Sequence, residues 1–349
     1  MRTPKRLTIH DIARIAGVSA GTVSRAINGQ AGVGDATRAR IMDLVREHGF
    51  QASFFAKKLP SGRSFAIGLV FGSAASELFA HPIYPELIGA VGDALTEYGY
   101  MLTLITVPGK EERLDRVVRE ISLRRLDGVI LPDVRASDPI LDALLTHDTP
   151  VVAVGHREAG GRIACVDCDH DQAIYHATRL LLDNGHRRIA LVNGPSAFTA
   201  CQLRAEGYRA ALLEAGITPE PSLEREGTFT SKHGYESALH LLAIKDADRP
   251  TAIVAASDVI AAGCLDAAKS RGLRVPSDLA ITGFDDNVLG RFTEPPLTTV
   301  KMPLADMGRT AVEILMGLIG GEKNTPERVV LPTELVVRES SGGPSRLLL

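Results

Sequence analysis

Residues 8–28 read Thr-Ile-His-Asp-Ile-Ala-Arg-Ile-Ala-Gly-Val-Ser-Ala-Gly-Thr-Val-Ser-Arg-Ala-Ile-Asn. Thr8 is placed to N-cap a helix, with Asp11 three positions on as the acid beside the cap. Ile12, Ile15 and Ala16 recur at helical spacing and form its expected inward face. Gly17 supplies the backbone freedom to end it. Ser19 then caps a second helix, with Thr22, Val23 and Ala26 among its inward positions. Two helices joined by a short Gly-containing turn form a helix-turn-helix unit. The second helix of such a unit is the one that enters a DNA major groove. Standing alone, the stretch would better suit an ordinary helical hairpin.

Charge argues against the hairpin. Up to Ser64 the chain has eleven Lys or Arg and four acids, a net +7, in a chain whose total is −3, which leaves −10 for the remainder. A basic head on an acidic body suits phosphate binding by the head. The segment after the two helices points the same way. Asp35 is expected to cap a third helix with Ile41, Leu44 and Val45 as its apolar face and Gly49 as its stop. Residues 52–64 then read Ala-Ser-Phe-Phe-Ala-Lys-Lys-Leu-Pro-Ser-Gly-Arg-Ser, a marginal helix ended by Pro60 and Gly62. So short a helix is unstable alone and would fold on a partner or on DNA. A plain linker is the alternative.

The order Thr-Ile-x-Asp-Ile-Ala-x-x-Ala-Gly-Val-Ser-x-x-Thr-Val-Ser-Arg-x-x-Asn resembles the lactose-repressor/galactose-repressor family of bacterial transcription factors. The resemblance continues through Gly185-His186-Arg187-Arg188-Ile189-Ala190, Arg204 to Leu212, Arg249 to Ile253 and Gly283-Phe284-Asp285-Asp286. It closes with Pro295 to Val300 and Glu334 to Ser340, and so runs from about Thr8 to Ser340.

The rest of the chain sets bounds. A length of 349 residues exceeds one comfortable core. The 45% hydrophobic and 23% charged fractions are those of an ordinary globular protein. No apolar run reaches membrane length and no signal-like stretch follows Met1, so the expected place is the cytoplasm. Four Cys suit a reduced compartment. Cys165-Val-Asp-Cys168 has no second ligand pair to complete a metal site, so no metal and no cofactor is expected. Beyond Ser64, strand-like runs (Phe65 to Phe71, Tyr100 to Thr106, Gly128 to Leu131, Val151 to Val154) alternate with helical stretches such as Pro85 to Tyr98. A second series contains Ile189 to Val192, Ala252 to Ala255 and Leu279 to Gly283. Such alternation predicts two doubly wound parallel α/β units.

The resemblance implies the whole architecture. A small all-α helix-turn-helix DNA-binding domain (1–51) is followed by a hinge helix and linker (52–64) and an α/β two-lobed periplasmic-binding-protein-like core (65–340). The first lobe would take about 65–164 and 297–326, the second about 165–296 and 327–340, with crossings near 164, 296 and 326; a tail, 341–349, completes the chain. The resemblance also carries residue roles. Ala20, Gly21 and Arg25 fall at the base-reading positions, where the family often has larger or polar residues than Ala and Gly; this shifts readout to Arg25, His10 or the hinge. Arg25 can make a bidentate contact to guanine. Thr8, Ser19, Thr22 and Asn28 are expected to position phosphates or cap helices. Leu59, after Ala56, Lys57 and Lys58, falls where the family wedges a Leu into the minor groove. In the cleft the match selects Tyr84, Gln172, Arg204, Phe229, Ser257 and Asp285. Arg204 offers a fork of donors, Asp285 accepts from adjacent hydroxyls and Phe229 stacks on a sugar ring; Asp258 and Asp286 rival the acidic roles.

These readings favour a DNA-binding regulator, usually a repressor, whose operator affinity responds to a small ligand of sugar or polyol type. The hinge implies a homodimer on a pseudo-palindromic site, and residues 344–349 are too short for a tetramerising coiled coil. A cytoplasmic α/β enzyme lacks its nucleotide loops and nucleophile elbow here. A sugar carrier that never touches DNA would not need the basic head.

Overall fold

The computed structural model describes residues 7–27, 31–48, 63–107, 110–132, 139–155, 163–245, 248–322 and 324–343. The headpiece has three helices: α1 (Ile9–Ala16), α2 (Ala20–Ile27) and α3 (Asp35–Glu47). They close on Ile12, Ala13, Ala16, Val23, Ala26 and Ile41, all buried. Thr8 and Asp11 form a reciprocal capping box, and Gly17 closes α1 in the left-handed region at φ 62°. Three local expectations change. Ile15 is 47% exposed; the buried face centres on Ile12, Ala13 and Ala16 and turns Ile15 outward. Thr22 is half-exposed rather than inward, because its hydroxyl pairs with Ser19. Asp35 is the first residue of α3, and Gly34 occupies the cap without a side-chain bond. Gly49, the expected stop, lies outside the described residues.

The core contains two six-stranded sheets. The first has the order β11 (Arg328–Leu331), β5 (Ala164–Cys168), β4 (Val151–Val154), β3 (Gly128–Pro132), β1 (Ala66–Phe71), β2 (Met101–Thr106). The second has the order β12 (Glu334–Val336), β10 (Thr298–Lys301), β9 (Ala280–Asp285), β8 (Ala252–Ala255), β6 (Ile189–Asn193), β7 (Glu224–Glu226). All pairings are parallel except that of the edge strand β12. Central strands such as β1, β3, β6 and β9 are buried at every position, as a sheet covered on both faces requires.

Helices cover these faces. In the first lobe α4 (Ala75–Ala80), α5 (Ile83–Glu97), α6 (Lys110–Ser122) and α7 (Pro139–Thr146) follow the strands. The second lobe has α8 (His170–Asp183), α9 (Thr199–Glu214), α10 (Ser231–Leu242), α11 (Asp258–Ser270) and the short α12 (Val288–Phe292). The chain returns through α13 (Leu304–Gly320), which packs on α5 of the first lobe.

The lobe boundaries fall later than expected. β5 is paired within the first sheet, β10 within the second and β11 within the first. The crossings therefore come after Cys168, Lys301 and Leu331, not near 164, 296 and 326. Each crossing strand completes its ladder in the lobe it is leaving, since stopping earlier would bury unpaired backbone groups.

Candidate functional site

The headpiece presents its predicted DNA-facing residues on and around α2. Ser19 accepts a hydrogen bond from the Thr22 amide at 3.1 Å and pairs with its hydroxyl at 2.8 Å. Thr8 is similarly engaged, its hydroxyl donating to Asp11 at 2.7 Å. Both side chains serve as helix caps. Arg25 is exposed, with Nε donating to the Gly21 carbonyl at 3.4 Å, and Gly21 is exposed beside it. Ala20 is half-buried and offers no polar group. Asn28 and the hinge positions Ala56, Lys57, Lys58 and Leu59 lie outside the described residues.

In the core, a cavity is lined by His81, Ile83, Tyr84 and Gly155 from the first lobe. Phe198, Ala200, Arg204, Phe229, Ser257 and Asp285 line it from the second, and His170 and Met302 from the crossings. Gly155, His170, Ser257, Asp285 and Met302 sit at or within two residues of the carboxyl end of a parallel strand, and the others lie in the segments that follow such ends. In open α/β sheets that is where ligands bind.

Arg204 is 5% exposed and its guanidinium lies 3.9 Å over the Phe284 ring. Its Nη1 donates to the Ala256 carbonyl at 2.6 Å, while Nε and Nη2 reach Nδ1 of His170 at 3.4 and 3.3 Å. Three of its five N–H groups are thereby used, and two remain at the tip. Asp285 ends β9 at φ 119°, a strained setting for a side chain other than Gly. It is 6% exposed and its Oδ2 has no hydrogen-bond partner. Burial, then the neighbouring Asp258, push its carboxyl well above the usual range, opposed by Arg204.

The rival acids are structural. Asp258 accepts from the Thr299 hydroxyl at 2.5 Å and from the Asn287 amide at 2.9 Å, and burial pushes it up to about 7. Asp286 is held by Arg338 and Arg291. Ser257 lines the cleft, but its hydroxyl caps α11 by accepting from the Ile260 amide at 3.1 Å. The Phe229 ring packs against Gly194, where an added Cβ would fall 2.4 Å from it. His81 stands edge-on to Phe229 across the cleft, centroids 6.3 Å apart. Its Nδ1 has no hydrogen-bond partner, and burial, then Arg204, hold its pKa below the usual 6.5.

The cleft thus brings together Tyr84, Arg204, Phe229, Ser257 and Asp285. Gln172 does not join them: it is exposed on α8, two residues beyond His170 and so on the far side of the helix. Sequence reasoning missed His81, His170 and Phe198. The available signal was position: His170 and Phe198 closely follow strand-like runs, and His81 stands three residues before the selected Tyr84. All four cysteines are buried, and none of them forms a disulfide. Cys165 and Cys168 stand three apart on one strand, so their side chains point to opposite faces.

The comparisons bear on both regions. Residues 8–53 match the bacterial regulatory proteins of the lacI family, and residues 178–341 match a periplasmic binding protein-like domain. The HTH-type transcriptional regulator CelR of Thermobifida fusca is 36% identical over 344 residues, 97% of this chain and 100% of the relative.

The chain belongs to the lacI family of bacterial regulatory proteins.

The ribose operon repressor of Escherichia coli (strain K12) is 31% identical over 335 residues, covering 96% of this chain and 99% of that one. Among solved structures, a CelR–cellobiose complex matches with a TM-score of 0.75 at 35% identity, covering 96% of this chain and all of that one. The lac repressor dimer bound to operator and an anti-inducer matches with a TM-score of 0.84 at 26% identity, over 97% and 99% of the two chains. As a lacI-family member the protein is a DNA-binding transcriptional regulator and not an enzyme. No helix among the described residues is long and apolar enough to cross a membrane.

Proposed function

We propose that this regulator acts in the cytoplasm as a homodimer on a two-fold pseudo-palindromic operator, usually repressing, and that a neutral sugar or polyol in the cleft changes its operator affinity. Arg25 reads bases; Leu59 with Ala56, Lys57 and Lys58 enters the minor groove; Asn28 contacts the backbone. The observation that carries the effector reading is the buried Asp285 carboxyl, one oxygen unpartnered, beside the two uncommitted N–H groups of Arg204. One sugar hydroxyl can accept from such a donor while it or its neighbour donates to the carboxyl. Phe229, Phe198 and Tyr84 supply flat apolar surface for the ring faces. A cellobiose complex in a relative at 35% identity supports the same ligand class.

A ligand moves operator affinity by its differential affinity for the two lobe arrangements, a coupling of about 1–3 kcal/mol. Reciprocity requires that operator change ligand affinity by the same factor. Calorimetry with cellobiose, maltose, glucose, galactose and ribose, repeated with operator DNA from the gene's own promoter, tests both. Binding of one saccharide per subunit with an operator-dependent affinity is expected. No binding by any neutral saccharide, or equal affinity with and without DNA, would sink the reading.

A further inference from the structure

Behind the cleft lies a buried group that the effector reading has not used. Asp167, on β5 of the first lobe, is 1% exposed. Its Oδ1 lies 3.1 Å from Nε2 of His170, the first residue of α8. The other ring nitrogen, Nδ1, faces Nη2 and Nε of Arg204 at 3.3 and 3.4 Å. The line Asp167, His170, Arg204 therefore starts in the first lobe, passes the first crossing and ends at the cleft.

The chemistry fixes where the imidazole proton sits. Arg204 can donate and cannot accept, so Nδ1 must present its lone pair to the guanidinium. The ring proton is then on Nε2, whose 3.1 Å approach to Oδ1 of Asp167 is an electrostatic contact rather than an aligned hydrogen bond. A proton on Nδ1 would set donor against donor. The same argument decides against a metal. Asp167, Cys168 and His170 do bring three ligand atoms within 4.8 Å of one another. A cation bound at Nε2 would leave the ring proton on Nδ1, facing the Arg204 donors, whereas metal-bound imidazoles need an acceptor there. A cation at Nδ1 would abut the guanidinium itself.

We propose that His170 is a positioning residue for the effector: in its Nε2–H form it passes the fixed place of the first-lobe carboxylate of Asp167 to Arg204 in the second lobe, and so aims the two free N–H groups of Arg204 into the cleft. This rests on the effector reading above for what Arg204 then grips. It also ties that grip to the crossing, because Asp167 belongs to β5, paired in the first sheet with β4 and β11, whereas Arg204 stands on α9 of the second lobe.

Two measurements on the full-length dimer separate this proposal from the effector reading. The first uses no sugar. Side-chain nitrogen NMR of histidine-labelled protein should show His170 protonated at Nε2 and bare at Nδ1, with the Nδ1 signal moved by Arg204→Met. A proton on Nδ1, no response to Arg204→Met, or one equivalent of zinc retained after incubation and desalting overturns the proposal. The second is calorimetry with whichever saccharide of the panel binds wild type. Removing both hydrogen-bonding atoms in His170→Leu should weaken binding at least about fivefold, whereas His170→Gln, which keeps a donor and an acceptor on one planar group, should stay within about threefold. A smaller loss in His170→Leu, or an equal loss in both variants, overturns the positioning role. Should His170→Leu fail to fold, Asp167→Asn takes its place, with a shifted His170 Nε2 signal and at least about twofold weaker binding expected; an unmoved signal overturns the relay. If no saccharide binds wild type, the effector reading fails and the NMR measurement still decides the relay.

Discussion

The two lobes have the same architecture but face the cleft with different chemistry. The second lobe contributes Arg204, Ser257 and Asp285, at most 6% exposed, with Arg204 and Ser257 held by buried hydrogen bonds and Asp285 in a strained backbone setting. The first contributes His81 and Tyr84, both half-buried, with ring contacts of Tyr84 to Phe71 at 5.1 Å and of His81 to Tyr84 at 5.1 Å. On the proposed reading, the buried polar groups of the second lobe, with its rings Phe198 and Phe229, recognise the effector, and the half-buried His81 and Tyr84 of the first close over it. The difference suits a switch, since a ligand gripped by one lobe favours the arrangement that brings the other onto it.

The sharpest way to break this comparison is Asp285→Ala. Loss of a buried carboxyl partner should weaken effector binding by about 2–3 kcal/mol and abolish the response of operator affinity. DNA binding by the unliganded protein should persist, as a gel shift with and without saccharide would show. Full effector affinity would remove Asp285 from the site. A variant outside both lobes serves as the control. Arg25→Ala should cost about 1–3 kcal/mol at the operator, flatten sequence preference and leave effector affinity alone. A uniform loss over all DNA sequences would mark Arg25 as a phosphate contact instead.

Next in size is Gly194→Ala. Its Cβ would lie 2.4–2.8 Å from carbons of the Phe229 ring, so the ring must leave the cleft wall. Effector affinity should fall by about 1–2 kcal/mol, the scale of a local overpacking penalty. Because the strain is confined to one ring, the change in Tm should be small beside the change in affinity. A Tm loss with unaltered affinity would mean that Phe229 supports the lobe and does not touch the ligand.

How much of this was legible in the chain depends on how local each feature is. The capping box of Thr8 and Asp11 and the Gly17 turn are encoded within ten residues, and they appear as read. The central strands are continuous apolar runs and were equally plain; Val151–Val154 and Ala252–Ala255 agree with the sequence reading to the residue. The crossings were displaced because lobe membership is decided by pairing partners that can lie 163 positions apart, as Cys165 on β5 and Arg328 on β11 do. In the cleft, residues matched by the family pattern located most of the second-lobe wall. His170 escaped because its role exists only through Asp167 and Arg204, brought to it by two other elements. Gln172 was misplaced by an alignment that carried no helix phase: at 100° per residue, two positions turn a side chain from cleft to solvent.

The smallest effect should come from the first lobe, through His81. Its imidazole is pushed below the usual 6.5 by burial first and by Arg204 second, so it faces the cleft neutral near pH 7. A neutral ring can accept from a ligand hydroxyl at the unpartnered Nδ1; the protonated ring cannot, and it adds a second cation beside Arg204. Folding has the same sign. The unfolded chain takes up this proton first, so the His81 contribution to stability is complete above the unfolded value of 6.5 and is lost as pH falls through the lowered folded value. Effector affinity should therefore be level from about pH 8 to 7 and decline in more acid solution, and His81→Gln should remove most of that decline while costing about 1 kcal/mol or less at neutral pH. Calorimetry across that range on both proteins decides it. If affinity instead rises with acid, His81 binds as a cation. If His81→Gln costs as much as Asp285→Ala, the first lobe recognises as strongly as the second, and the division of labour between the walls is wrong.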